Sequence, residues 1–151
     1  MALAVGDKAP LIALRDQQGQ ECRSDQLAGK ALVLFFYPKD DTPGCTAEAC
    51  AFRDSYADLL ALGAEVWGVS GDGATSHQRF ASRHNLPFPL LVDGGNQLRK
   101  AFGVPAVLGL LPGRVTYVID GQGVIRSIFN NLLDGAAHRN QARAALQRLA
   151  L

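Results

Sequence analysis

A chain of 151 residues with 48% hydrophobic and 19% charged side chains is sized for one core and too apolar for a disordered segment, so residues 1–151 are expected to form a single domain. A formal net charge of +1, with no run of five like charges, argues against a nucleic-acid or membrane surface and for a small-molecule or protein partner. No apolar run approaches the ~20 residues of a membrane span and no basic-then-apolar leader opens the sequence, which makes a cytoplasmic home the default expectation.

The three cysteines, Cys22, Cys45 and Cys50, are too few and odd in number for a secreted disulfide scaffold, which brings redox or metal chemistry forward. Cys22, in Gln20-Glu21-Cys22-Arg23, falls near the end of a strand and reads as a passive thiol. Ala31 to Tyr37 is a continuous apolar run closed by Pro38, as expected of a strand buried on both faces. Thr46 to Leu62 carries Ala49, Phe52, Tyr56, Leu59 and Leu60 at helical spacing, and Gly63 supplies a C-cap. Glu65 to Ser70 is a second buried strand. A helix over Ala74 to His84 is halted by Leu86-Pro87-Phe88-Pro89. Val115 to Asp120 and Val124 to Ile128 form a hairpin across Asp120-Gly121-Gln122-Gly123, and Asp134 to Leu149 is a last helix. His77, His84 and His138 fall in helices and read as exposed. Ala106-Val107-Leu108-Gly109-Leu110-Leu111-Pro112 is either an exposed apolar contact or a buried segment. Alternating strands and helices predict an α/β fold with a mainly parallel sheet, flanking helices and one antiparallel hairpin.

The chemically informative stretch is Pro38-Lys39-Asp40-Asp41-Thr42-Pro43-Gly44-Cys45-Thr46-Ala47-Glu48-Ala49-Cys50. It puts Cys45 where a buried strand ends and a helix begins, beyond the carboxyl end of the strand and at free helix N–H groups that favour an anion. A cysteine so placed is a candidate nucleophile, since the thiolate is the reactive form. Read alone, it is equally a small buried hydrophobe. Thr42 either caps the helix or aims its hydroxyl at a bound oxygen. Pro43 and Gly44 read as turn residues that also let backbone N–H groups approach a ligand.

Pro38, Thr42 and Cys45 match the Pro-x-x-x-Thr-x-x-Cys signature of peroxiredoxins, and Asp41-Thr42-Pro43-Gly44-Cys45-Thr46 resembles the bacterioferritin-comigratory, or Q-type, subfamily. Asp72, Ser76-His77, Phe80, Leu86-Pro87-Phe88, Leu90-Leu91-Val92-Asp93 and Arg114 before Thr116-Tyr117-Val118-Ile119-Asp120 continue the resemblance over nearly the whole chain. The stretch before Arg114 departs most from the subfamily pattern.

The resemblance implies a thioredoxin-like fold and a thiol peroxidase that reduces hydrogen peroxide and organic hydroperoxides. Cys45 would be the peroxidatic thiol, with Thr42, Gly44, Pro38 and Arg114 forming its pocket; without the resemblance Arg114, like Arg53, reads as a solvated charge. It further implies a Cys45 sulfenic acid resolved by Cys50 as an intramolecular disulfide and recycled by thioredoxin or a similar dithiol. Five residues along a helix leave two Cα atoms ~8–9 Å apart and roughly 140° apart around the axis, beyond the ~7 Å a disulfide tolerates. Oxidation is therefore expected to unwind the first turns of that helix. A monomer is expected rather than a homodimer.

Other readings are weaker. A metal module lacks a second tight ligand pair after Cys45 and Cys50, a cysteine hydrolase would need a histidine that spacing does not reveal, and the absence of a dinucleotide or phosphate-loop motif leads to no expected cofactor. A redox sensor using the same thiols to switch a protein partner is the alternative from a different class.

Overall fold

The computed structural model describes residues 3–109 and 111–150. Its centre is the strand foreseen from the apolar run, β3 (Ala31–Phe36). Alternate residues of a strand face opposite sides, and β3 divides accordingly. Leu32, Leu34 and Phe36 pack with Ile12, Trp67, Val69 and Tyr117, while Val33 and Phe35 pack with Phe52, Val66, Phe80, Phe88 and Val118. Burial on both faces explains why β3 reads as continuous apolar sequence.

Beside β3 lie β4 (Ala64–Ser70) and then β5 (Leu90–Val92), both parallel. On its other side lie β6 (Val115–Ile119) and β7 (Ile125–Asn130), each antiparallel to its neighbour. The sheet is thus mixed, ordered β5-β4-β3-β6-β7, and β6 alone runs against the other strands. A separate short hairpin pairs β1 (Ala13–Arg15) with β2 (Glu21–Arg23). Cys22 is the middle residue of β2, opposite Leu14.

One sheet face is covered by α1 (Pro43–Asp54), α2 (Tyr56–Ala61), α3 (Ala74–His84) and α5 (Gly135–Leu149). The β1–β2 hairpin and α4 (Gln97–Phe102) cover the other. The boundaries of α3 match its periodicity, and α5 begins after Asp134, whose carboxylate accepts the N–H of Ala137 at 3.0 Å. The helix expected over Thr46 to Leu62 starts earlier and is broken at Ser55 (φ −108°, ψ 6°). The break is held from α5: Ser55 Oγ accepts from Arg139 at 3.0 Å and from Arg143 at 2.7 Å.

Two expectations for the histidines are corrected. His77 and His138 are fully buried, because each shares the inward stripe of its helix, His77 with Phe80 and His138 with Ala142 and Ala145. His84 is half-buried. In the 106–112 stretch Leu108 and Leu111 are exposed, on a tight turn closed by Val107 and Leu111; Leu110 lies outside the described residues, as do residues 1, 2 and 151.

Candidate active site

The end of β3 delivers the chain into a loop that becomes α1. Pro38 breaks the ladder half-buried, Asp41 adopts a left-handed φ of 58°, and Thr42 takes the extended N-cap conformation. Pro43 then occupies the first helical position, where its missing N–H costs nothing. Thr42 Oγ1 donates to the Lys39 carbonyl at 2.9 Å and does not cap the helix. Its hydroxyl therefore ties the loop together, and its oxygen can still accept a hydrogen bond from a ligand. Among the described residues, the N–H groups of Gly44 and Cys45 have no partner. They are the free first-turn donors that suit an anion. Cys45 is buried, with 1% of its surface exposed.

Arg114 reaches this spot because β6 runs antiparallel to β3: Val115 pairs with Phe36, so the residue before β6 sits at the end of β3 where α1 begins. The expectation of a possible solvated charge gives way to a guanidinium that is 4% exposed. Its Nε donates to the Leu132 carbonyl at 2.9 Å and its Nη1 to Glu48 Oε1 at 2.7 Å. The Nη2 edge lies against Gly44, where a Cβ would come within 2.8 Å of it. Burial lowers the pKa of Arg114, but the negative charge available on Glu48 and Cys45 more than restores it, leaving it above its ordinary value. A cation and two free N–H groups thus lie beside the Cys45 thiol, with Thr42 at the N-cap of the same helix.

Glu48, which the sequence reading passed over, anchors this arrangement. It is fully buried on α1 between the two cysteines. Burial pushes its carboxyl up to about 8, against the pull of Arg114. Its second oxygen lies 3.4 Å from His138 Nδ1. His138 Nε2 donates to the Asn131 carbonyl at 2.7 Å, so the neutral ring accepts the Thr116 hydroxyl at Nδ1, also at 2.7 Å. Burial, aided by Arg114, lowers the pKa of His138 and keeps it neutral. Its inward place on α1, three residues from Cys45 and four from Phe52, was the available signal for Glu48.

A second buried network fixes the loop. Asp40 accepts from the Tyr37 hydroxyl at 2.6 Å and Ser76 at 2.8 Å, and faces His77 Nδ1 at 2.6 Å. His77 Nε2 donates to the Leu91 carbonyl, so the proton between His77 and Asp40 makes an imidazolium–carboxylate pair. Burial opposes this charge, yet Asp40 outweighs it and raises the pKa of His77. Asp72 accepts the N–H of Asp40 at 2.8 Å. Asp40, Asp72 and His77 cluster closely, but a hydrogen-bonded His–Asp contact of this length leaves no room for a metal between them.

Cys50 is half-buried on the same helix as Cys45, and both are free thiols. Arg53, one turn beyond, is held by Asp54 at 2.9 Å and the His84 carbonyl at 2.8 Å, in line with a structural role. Cys22 is half-buried elsewhere; burial, with Asp16 and Glu65, pushes its thiol up to about 11. No described helix is long and apolar enough to cross a membrane.

Comparison with known proteins accounts for this geometry. Residues 5–128 match the AhpC/TSA family. Peroxiredoxin Q, chloroplastic, from Oryza sativa subsp. japonica is 50% identical over 145 residues, covering 95% of this chain and 67% of the relative. The protein of that name from Populus jackii is 49% identical, covering 95% and 68%. The peroxidoxin BcpB structure from Mycobacterium tuberculosis superposes with a TM-score of 0.89 at 34% identity, covering 97% of this chain and 98% of that one. Peroxiredoxin Q of Xanthomonas campestris gives 0.85 at 31% identity, covering 92% and 91%. The chain, with its thioredoxin-like fold, belongs to the AhpC/TSA family and is a thiol peroxidase of the peroxiredoxin type.

Proposed function

We propose that Cys45 is the peroxidatic thiol, that Cys50 resolves its product, and that residues 1–151 act as one unit. The observation that carries this is Cys45 buried at the first turn of α1, with Gly44 giving the Arg114 guanidinium room beside it. The Cys45 thiolate attacks one peroxide oxygen and the O–O bond breaks. The departing oxygen takes the bonding pair and then a proton, leaving as water or an alcohol. Arg114 and the N–H groups of Gly44 and Cys45 stabilise the developing charge, as preorganised donors do. Thr42 Oγ1 accepts a hydrogen bond from the peroxide O–H, the departing oxygen takes its proton from solvent, and Pro38 shapes the wall of the pocket.

The sulfur now carries one oxygen as a sulfenic acid. The Cys50 thiol attacks it, water leaves, and a Cys45–Cys50 disulfide forms. An external dithiol, thioredoxin or a similar donor, reduces the disulfide by exchange and is itself oxidised. Both thiols lie on one helix, so resolution needs no second copy and a monomer suffices. Organic hydroperoxides join hydrogen peroxide as substrates. The bacterioferritin comigratory protein of Xanthomonas campestris, which superposes at a TM-score of 0.84 and 31% identity, is described for alkyl peroxide reduction. Recycling needs a reducing compartment; we place the chain in the cytoplasm, although its plant relatives are named as chloroplastic. The outcome is antioxidant defence.

Peroxide consumption coupled to thioredoxin, thioredoxin reductase and NADPH tests the reading. Many turnovers are expected from the native chain, none from Cys45→Ser, and loss of thioredoxin-supported turnover from Cys50→Ser. One rapid equivalent without recycling would instead favour a redox sensor or a different reductant.

A further inference from the structure

Arg99 is the other buried arginine at this end of the sheet, 6% exposed, on the six-residue α4. Its Nη2 donates to the Tyr37 carbonyl at 2.8 Å and its Nη1 to the Gly113 carbonyl at 2.6 Å. Tyr37 is where β3 gives way to the loop of Cys45. Gly113 immediately precedes Arg114. One rigid planar fork therefore bridges the two chain segments that carry the thiol and the cation.

The fork is itself immobilised. The N–H groups of Leu98 and Arg99 donate to the two carboxylate oxygens of Asp93 at 2.8 and 3.0 Å, and the N–H of Asp93 donates to the Ser70 carbonyl at the end of β4. The guanidinium also lies 5.7 Å from the Phe36 ring centroid. At the far end, Gly113 packs against the Pro105 carbonyl with no room for a side chain. The ends of β3, β4, β5 and the start of β6 are thus joined through one residue. Its hydrogen-bond acceptors are carbonyls, and among the described residues its Nε has no partner. This is an expensive group to bury for packing alone.

We propose that Arg99 is a positioning residue for peroxide reduction: by tying the Tyr37 and Gly113 carbonyls to one guanidinium, it fixes Arg114 relative to Cys45. The inference rests on the reading of Cys45 and Arg114 given above. A misplacement of about 1 Å at a reacting centre costs on the order of a hundred-fold in rate. A lysine at 99 keeps the charge but cannot reproduce a planar two-carbonyl span.

The test compares native protein, Arg99→Lys, Arg114→Lys and the double variant, each shown folded by thermal unfolding; Arg99→Gln replaces Arg99→Lys should the latter not fold. Two rates are measured: Cys45 oxidation by hydrogen peroxide in stopped flow, and Cys45 alkylation by iodoacetamide across pH. Alkylation needs only a thiolate, whereas peroxide reduction also needs Arg114 in place. Arg99→Lys is expected to slow peroxide oxidation about ten-fold or more beyond any change in the alkylation rate at the same pH, and to add little once Arg114 is already lysine. Native peroxide rates in the folded Arg99 variant, or fully additive losses in the double variant, overturn the inference. Native rates in Arg114→Lys would instead overturn the reading of the site, and the inference with it.

Discussion

Glu48, on the helix that carries Cys45 and Cys50, accepts a buried hydrogen bond of 2.7 Å from Arg114 Nη1. The pair connects the chemistry to the predicted unwinding, because Glu48 lies inside the turns that must open before Cys45 can reach Cys50. Packing tightens the same point: a Cβ at Gly135 would approach the Glu48 backbone nitrogen to 2.7 Å, so α5 presses directly on α1 there. Glu48→Ala leaves the buried Arg114 Nη1 without its acceptor, and a buried donor left unsatisfied costs about 1–3 kcal/mol. Denaturant unfolding should show that loss. Glu48→Gln, which keeps an acceptor for Nη1, should retain most of the stability and still slow peroxide oxidation about ten-fold, as expected for a displaced charge-stabilising donor.

Gly44 offers a substitution in which rate and stability part. It lies within the first turn of α1, where alanine is favoured over glycine by about 1 kcal/mol. Yet an added Cβ meets Arg114 Nη2 at 2.8 Å, and Arg114 is pinned by Leu132 and Glu48. Gly44→Ala should therefore unfold at a temperature close to the native one, the helix-propensity gain offsetting the displacement of Arg114, while reacting with peroxide at least about ten-fold more slowly. Equal peroxide rates would show that Arg114 moves aside freely.

Oxidation should be visible as local loss of structure. With one equivalent of peroxide, amide hydrogen exchange should accelerate over residues 43–51, while α3 and α5 keep their protection. The Ser55 clamp by Arg139 and Arg143 sets the boundary, so exchange beyond residue 55 should change little. In Cys50→Ser the same treatment should yield a Cys45 sulfenic acid that a dione probe captures, with α1 still protected.

The elements that the sequence revealed are those long enough to show a period. β3 announces itself by six apolar residues buried on both faces, and α3 by the stripe that ends at Phe80 and His84. β1, β2 and β5 have three residues each, too few for alternation to register, and of these only β2 was expected, around Cys22. The break at Ser55 was hidden because its cause, two arginines, arrives from α5. Cys45 stands out as a candidate from local order, since a strand end and a helix start flank it, although that order alone leaves a small buried hydrophobe equally open. Arg114 could be placed only by resemblance, because antiparallel pairing of β6 with β3 brings it there. Arg99 gave no signal: α4 is short, and its two acceptors are backbone carbonyls from distant segments.

Cys22 should be dispensable. With its thiol pushed up to about 11 by burial, Asp16 and Glu65, it holds almost no thiolate at neutral pH. Cys22→Ser is expected to match the native chain in turnover, and mass spectrometry after limited alkylation at pH 7.5 should find Cys22 the slowest thiol to react. Rapid labelling there, or lost turnover, would return Cys22 to the mechanism.

Stability should fall as pH rises from 5 to 9, and two groups account for it. Burial holds Glu48 protonated in the fold up to about 8, against 4.5 for an ordinary glutamate. Asp40, overcoming burial, keeps the His77 proton above the ordinary value of 6.5. In both, the folded chain retains a proton that the unfolded chain has released, so the slope of stability against pH is negative through that window. His138 acts in the opposite sense: burial lowers its pKa below 6.5, so its contribution is complete above 6.5 and is lost as pH falls. Thermal unfolding across pH checks the assignment. Glu48→Gln should flatten the curve from about 4.5 to about 8, and His77→Gln should flatten it only from 6.5 upward, where loss of the His77 proton leaves Asp40 facing a ring lone pair. If His77→Gln leaves the slope above 6.5 intact, the proton that holds the Cys45 loop is not on His77.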